Sequence, residues 1–162
     1  MKRINQAHIA ALIPLINGSS FFELLGMTIC ELKEGYSKVE IQLDQRHLNP
    51  FGGVHGGVYA SLIDTAAYWA AYCDMDENAA YTSMDVCVNN LSMMKEGTLI
   101  AEGRTIKCGR SMCLCEASIT DSAGKLIAYG TSKLMVLQGR SVLQMMGVKA
   151  LPCKFVGEDN EN

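Results

Sequence analysis

Four residues hold most of the chemical promise of this chain: Asn49, His55, Gly56 and Asp64. The first three lie in the run Asn49-Pro50-Phe51-Gly52-Gly53-Val54-His55-Gly56-Gly57. Its glycines permit unusual backbone angles and let a ligand approach the main chain closely. The run leads straight into a helical stretch, whose first turn offers free N–H groups and a partial positive charge. A carbonyl oxygen that turns negative during attack is stabilised at such a place. The Gly56 N–H is the candidate oxyanion donor. Asn49 could add a side-chain N–H or hold a water. Asp64 is the only acid inside an otherwise apolar helical run. A buried carboxylate is costly unless partnered, so it tends to be functional or networked. Asp64 could act as nucleophile or as general base on water, or it could be a structural Asp hydrogen-bonded to a neighbouring backbone group or hydroxyl.

Spacing then decides the architecture. Asp64 lies about 12 Å beyond Gly56 along one helix axis, so it cannot reach an atom held at its own helix start. An antiparallel copy of the helix brings the partner subunit's Asp64 there. A working site therefore implies a twofold dimer, with Asn49 and Gly56 from one chain and Asp64 from the other. His55, a lone His beside glycines, is expected to fix the loop by hydrogen bonds. No second His or Cys has the spacing to make it a zinc ligand. Thr82 and Ser83 fall near the start of the next strand, where either hydroxyl could orient a water. Asp85 is read as a structural partner.

These residues need a scaffold, and the apolar pattern describes one. Asn5 to Ile16 has helical spacing, and Phe21 to Leu25 reads as a second short helix capped by Ser20 and stopped at Gly26. Thr28 to Leu32 and Tyr36 to Leu43 flank the turn Lys33-Glu34-Gly35, and Lys38 to Leu43 alternates polar with apolar, so a hairpin is expected. Gly56 to Cys73 reads as one long helix, apolar almost all round and therefore buried on most sides. Strands follow at about 79–91, 99–107, 112–120 and 126–137. Short Gly-containing connections separate them, which predicts antiparallel hairpins. The domain division is an N-terminal helical arm over 1–26, a core domain over 27–138 and a C-terminal extension over 139–162. The extension has little strand character, and its acidic tail Glu158 to Asn162 is expected to be frayed and partly disordered.

Composition narrows the function classes. The chain has 162 residues, 49% hydrophobic and 19% charged, so one packed domain is expected. The net charge of -3 and the lack of a Lys/Arg cluster argue against nucleic acid as a partner. No apolar run is long enough to span a membrane. The apolar stretch Ala7 to Ile16 imitates a signal peptide, but it contains His8 and Pro14 and no cleavage site follows. The seven Cys show no disulfide framework or metal spacing. Reduced, mostly buried thiols in a cytoplasmic protein are expected.

Taken in order, these motifs resemble the hotdog-fold acyl-CoA thioesterases. The nearest branch is the phenylacetic-acid-degradation (PaaI-like) type, related to the 4-hydroxybenzoyl-CoA thioesterases. The match runs from about Phe22 to Leu137. It includes Leu25-Gly26-Met27, Glu34-Gly35-Tyr36, Asn49…His55-Gly56-Gly57…Asp64, Gly109-Arg110 and Asp121…Gly124…Leu126…Ala128. The resemblance implies an α+β hotdog fold, an antiparallel sheet wrapped around a long central helix. It also implies dimers that pair into a homotetramer. Asn49 and Gly56 would polarise the thioester, Asp64 would activate water or attack, and Ser83 or Thr82 would position the water. Gly57 belongs to the substrate-binding set. Coenzyme A would lie near Lys107, Gly109, Arg110 and Ser111, with Lys107 and Arg110 on its phosphates. Lys133 and Arg140 are further phosphate candidates. No separate cofactor or metal is expected, since coenzyme A belongs to the substrate.

The chain also departs from the family. Tyr68 and Trp69 stand where small residues are frequent. Leu91 to Gly97 replaces a Leu-x-Pro-Ala-x-x-Gly pattern, and Asn89-Asn90 puts amides where an apolar residue is usual. The ten Met suit a deformable core or acyl pocket. The expected function is hydrolysis of an acyl-CoA thioester to a carboxylic acid and coenzyme A. The alternative is a non-catalytic acyl-CoA or acyl-carrier-protein binding domain of the same fold. A hotdog dehydratase ranks lower, because no His follows His55 on the helix.

Overall fold

A computed structural model describes residues 3–157. The expected tail at Glu158 to Asn162 lies outside them. The N-terminal arm holds β1 (Arg3–Ile4), α1 (Gln6–Asn17) and α2 (Ser20–Leu25). Asn5 caps α1 by accepting from the Ala7 N–H, and Gly26 ends α2 in the left-handed conformation at φ 61°. The cap of α2 is Ser19, one residue before the expected Ser20.

The core strands are β2 (Met27–Lys33), β3 (Tyr36–Gln42), β4 (Ala79–Asn90), β5 (Thr98–Cys108), β6 (Met112–Thr120) and β7 (Leu126–Gln138). They form one antiparallel sheet in the order β2-β3-β5-β6-β7-β4. The long helix α3 (Gly56–Asp74) lies across its concave face. Leu62, Ile63, Ala66, Ala67, Ala70 and Ala71 on α3 are fully buried, so the small residues let the sheet close tightly around it. This is the α+β wrapped-helix architecture expected from the motifs.

Two expectations are corrected. The connection from β4 to β5 is not a hairpin, because β4 pairs with β7 at the far edge and the 91–97 segment crosses to the other side of the sheet. Cys108 and Cys113 are not free thiols. They are Cα partners at the end of the β5–β6 ladder, 4.1 Å apart, and are joined in a disulfide. That bond removes the thiol argument for a reducing compartment. Of the other five, only Cys73 and Cys115 are buried, while Cys30, Cys87 and Cys153 are exposed.

The C-terminal extension folds back as α4 (Val142–Met145) and β8 (Phe155–Val156), and β8 pairs with β1. Lys154 anchors the return. Its ammonium is buried at the C-terminus of α3, donating to the Tyr72 and Met75 carbonyls at 2.6 Å each and lying 4.0 Å over the Tyr72 ring. His8 completes the clasp. Its Nδ1 meets the Pro152 carbonyl at 2.7 Å and its Nε2 meets the Tyr72 hydroxyl at 2.6 Å, so the hydrogen-bond network assigns the proton to Nδ1.

Burial pushes the Lys154 pKa down from 10.5 to about 8, against the opposing pull of Cys73, Glu77, Asp76 and Asp74. Below about pH 8 the lysine is protonated in both folded and unfolded chains, and the folded one bears the desolvation cost. Between 8 and 10.5 the unfolded chain holds more protons, so this group's contribution to stability rises with pH. Urea unfolding of the parent and Lys154→Met is expected to show the parent gaining about 2–3 kcal/mol on the variant from pH 7 to pH 10.5. An unchanged gap contradicts the buried ammonium.

Candidate active site

The glycine-rich loop is held by ties that leave selected donors free. His47, buried beneath it, accepts the Asp44 N–H on Nδ1 at 2.9 Å and donates from Nε2 to the Leu25 carbonyl at 2.7 Å. Its own carbonyl accepts the His55 N–H at 2.8 Å. The Asn49 carbonyl oxygen Oδ1 accepts from the Phe51 and Gly53 N–H groups at 2.9 and 3.2 Å. That Asx-type turn fixes the amide and leaves Nδ2 with no partner among the described residues. His55 is the N-cap of α3, and its Nδ1 accepts the Gly57 N–H at 2.9 Å. The Val58 N–H goes to the His55 carbonyl. In this first turn, among the described residues, the Gly56 N–H is thus left unpaired. Gly56 is half-buried and Gly57 exposed.

Asp64 sits two turns further along α3, half-buried. The Ser83 hydroxyl donates to its Oδ1 at 2.7 Å. The Ser132 hydroxyl is 3.5 Å from the same oxygen and 3.2 Å from the Asp85 carbonyl, its nearer acceptor. Oδ2 has no hydrogen-bond partner among the described residues. A bulge between Ser83 and Asp85 in β4 helps aim Ser83 at the helix. Thr82 is exposed and makes no side-chain hydrogen bond among the described residues. Asp85 instead pairs with Lys133 at 2.8 Å.

Asp64 opens onto a cleft of about 340 Å³ shared with Phe22, Tyr68 and Trp69. Burial, reinforced by the Asp64 charge, pushes the Tyr68 hydroxyl pKa up. That keeps the phenol protonated. The Asp64 carboxyl and the unpaired Gly56 N–H lie on separate turns of one continuous helix, as the spacing required.

Lys107, Gly109, Arg110 and Ser111 are exposed together at the β5–β6 turn. The Gly109 N–H closes the turn on the Met112 carbonyl at 2.8 Å, and the Ser111 carbonyl accepts from the Val136 N–H at 2.9 Å. The Cys108–Cys113 disulfide spans its base. The Tyr81 hydroxyl lies 3.0 Å from Cys113 Sγ and 3.4 Å from Cys108 Sγ, and it is the donor because bonded sulfurs carry no proton. Arg140 is exposed just beyond β7.

Three features escaped sequence reasoning. A Cβ on Gly56 would stand 3.1 Å from the Asn90 side-chain nitrogen, so that amide flanks the helix start. The pairing of Asn89-Asn90 was visible in sequence, but its proximity to Gly56 was not. His47 had a signal in the Asp44-x-x-His47 capping spacing. Ser132 had none, because its nearness to Asp64 comes from strand order.

Comparison with known proteins agrees with this geometry. A protein-family model described as the thioesterase superfamily matches residues 51–128, from the glycine loop into β7. A protein of Archaeoglobus fulgidus, provisionally named an esterase, is 32% identical over 115 residues, which is 70% of this chain and 73% of its own length. The 1,4-dihydroxy-2-naphthoyl-CoA hydrolase of Listeria monocytogenes is 26% identical over 118 residues, covering 73% of this chain and 96% of that protein. A solved thioesterase of Haemophilus influenzae superposes with TM-score 0.77 at 24% identity, over 85% of this chain and 96% of that one, and shows the shared fold. Fold, family model and archaeal relative converge on one assignment: this chain is a member of the thioesterase superfamily.

Proposed function

We propose that this chain is an acyl-CoA thioesterase, hydrolysing the thioester to a carboxylic acid and coenzyme A. The observation that carries the reading is Asp64, which lines a largely apolar cleft, is steadied through one oxygen by Ser83 and has no hydrogen-bond partner for the other among the described residues. Relatives named 1,4-dihydroxy-2-naphthoyl-CoA hydrolase and, from human, acyl-coenzyme A thioesterase 13 support the substrate class. The motif resemblance supports the PaaI-like branch.

The active unit is a homodimer with shared sites. β4 is one of the two edge strands of the sheet, and on it Met84, Cys87 and Asn89 are exposed and Val86 and Val88 are only half-covered. A long unpaired edge of this kind is a template for pairing with a second strand. Antiparallel pairing of two β4 edges would bring the two α3 helices alongside, and Phe51, 90% exposed, would be covered. A dimer of dimers is the assembly proposed beyond that.

In such a site the Gly56 N–H and Asn49 Nδ2 of one protomer polarise the thioester carbonyl. As general base, Asp64 of the partner subunit takes a proton from water while the water oxygen bonds to the carbonyl carbon. The C–S bond then breaks, and the coenzyme A sulfur leaves with that proton. As nucleophile, the Asp64 oxygen would bond to the carbonyl carbon while the C–S bond breaks and coenzyme A leaves as thiolate. Water would then hydrolyse the mixed anhydride, regenerating the Asp64 carboxylate and releasing the acid, with the thiolate taking up a proton. His55 and Ser83 position the loop and the carboxylate. Lys107 and Arg110 contact coenzyme A phosphates, whereas Lys133 is already paired with Asp85. No metal or separate cofactor takes part in this scheme.

Thiol release from a panel of acyl-CoA thioesters tests the reading. Turnover of at least one member is expected. Binding without release from any member overturns it in favour of a non-catalytic acyl-CoA or acyl-carrier-protein binding domain.

A further inference from the structure

We propose that α4, from the C-terminal extension, is the adjustable wall of the acyl pocket, and that it restricts the enzyme to compact acyl groups, aromatic or of medium chain length. This rests on the acyl-thioester reading above. The floor of the Asp64 cleft is α3, where Tyr68 and Trp69 follow Asp64 by about 6–7.5 Å along the axis. Tyr68 meets Trp69 edge-on at 5.3 Å and Tyr81 at 6.4 Å, and Trp69 meets Tyr72 at 5.3 Å. A floor locked in such an aromatic cluster cannot yield to a longer substrate. One side wall is Phe22, buried at 8% exposure.

The opposite wall is Met145 and Met146, at or just past the end of α4. They are 55% and 37% exposed, although apolar and beside an apolar cleft. Covering them with an acyl group removes that surface from water. Their unbranched thioethers can adapt to its shape. The helix that carries them is only four residues long. It is held by buried Val142 and by the Ser141–Gln144 capping box. The wall is thus fixed at its root and soft at its tip.

The occupant follows from position. A carbonyl carbon beside Asp64 has two substituents, and the reading above sends coenzyme A to the exposed Lys107 and Arg110 of the β5–β6 turn. The acyl group is left with the aromatic stripe. At about 340 Å³ the cleft of one chain is near the small end of ligand pockets, roughly 300–1,000 Å³, which suits a compact acyl group better than a long extended chain.

The test is kcat/KM on hexanoyl-, phenylacetyl-, decanoyl- and palmitoyl-CoA, for the parent, a Met145→Ala/Met146→Ala double variant and Met145→Trp. The decanoyl to phenylacetyl ratio is expected to rise about tenfold in the double variant and fall about tenfold in Met145→Trp, the size of a one-methylene misfit in an apolar pocket. Ratios unchanged in both variants, with turnover intact, overturn the α4 wall and leave the thioesterase reading standing. Efficient palmitoyl-CoA hydrolysis by the parent overturns the size limit. No turnover of any thioester by the parent overturns the thioesterase reading and this inference with it.

Discussion

Asp64→Asn is expected to lower kcat for acyl-CoA hydrolysis by about 10³-fold, within the 10²–10⁴ range for loss of a general base. The substitution keeps the side-chain shape. Asn retains an Oδ1 that can still accept from Ser83, so the bond at 2.7 Å has a successor. It removes the ability to take a proton from water or to attack carbon. The loss should therefore fall on kcat, with the thermal midpoint within a few degrees of the parent. Thiol-release kinetics together with a melting curve read both quantities. A variant that turns over within threefold of the parent would place the chemistry elsewhere.

The largest stability effect is expected at Gly103, which lies against the stretch of α3 that carries Asp64. An ideal Cβ there would stand 2.2 Å from the Ala66 carbonyl oxygen, 2.4 Å from its carbon and 2.8 Å from Ser37 Oγ. Ser37 already donates to that carbonyl at 2.6 Å, and Ala66 is fully buried in the middle of α3. The obstacle is backbone against backbone, so no rotamer change can relieve it. A Cβ added to Gly130 on β7 would stand at the same 2.2 Å from the Cys87 carbonyl oxygen. Gly103→Ala is expected to cost about 3–5 kcal/mol, which displaces the helix from the sheet and lowers the midpoint by roughly 10 °C. Gly124→Ala is the control. Gly124 has φ +82° and open space around it, so only the backbone penalty of about 1 kcal/mol remains. Equal melting of the two variants would contradict the close approach.

The legible parts of the fold were those set by local pattern. The long helix was expected over Gly56 to Cys73 and ends at Asp74, because its apolar residues and alanines repeat over several turns. The boundaries of β5, β6 and β7 followed from alternation between Gly-containing turns. The place of β4 was not legible, since strand order depends on which edge the crossover reaches and not on the strand's own residues. Cys108 and Cys113 became a pair only through the β5–β6 register. At α4, four residues are too few for helical periodicity to show. In the site, Asp64, Asn49 and Gly56 stood out because each is an unusual residue for its local context. Met145, Met146, Ser132 and Asn90 are ordinary for theirs, and only the fold brings them to the cleft or the helix start.

Thioester hydrolysis is proposed to occur at a site completed by two chains. Mixing two separately inactive variants, Asp64→Asn and Asn49→Ala, tests it most directly. In a hybrid dimer with shared sites, one site carries both defects and the other carries neither. After random exchange of subunits about half the dimers are hybrids, each with one intact site of two, so about a quarter of parental turnover is expected to return. If each chain held a complete site of its own, the mixture would stay as inactive as its components, and that result would contradict the shared-site account.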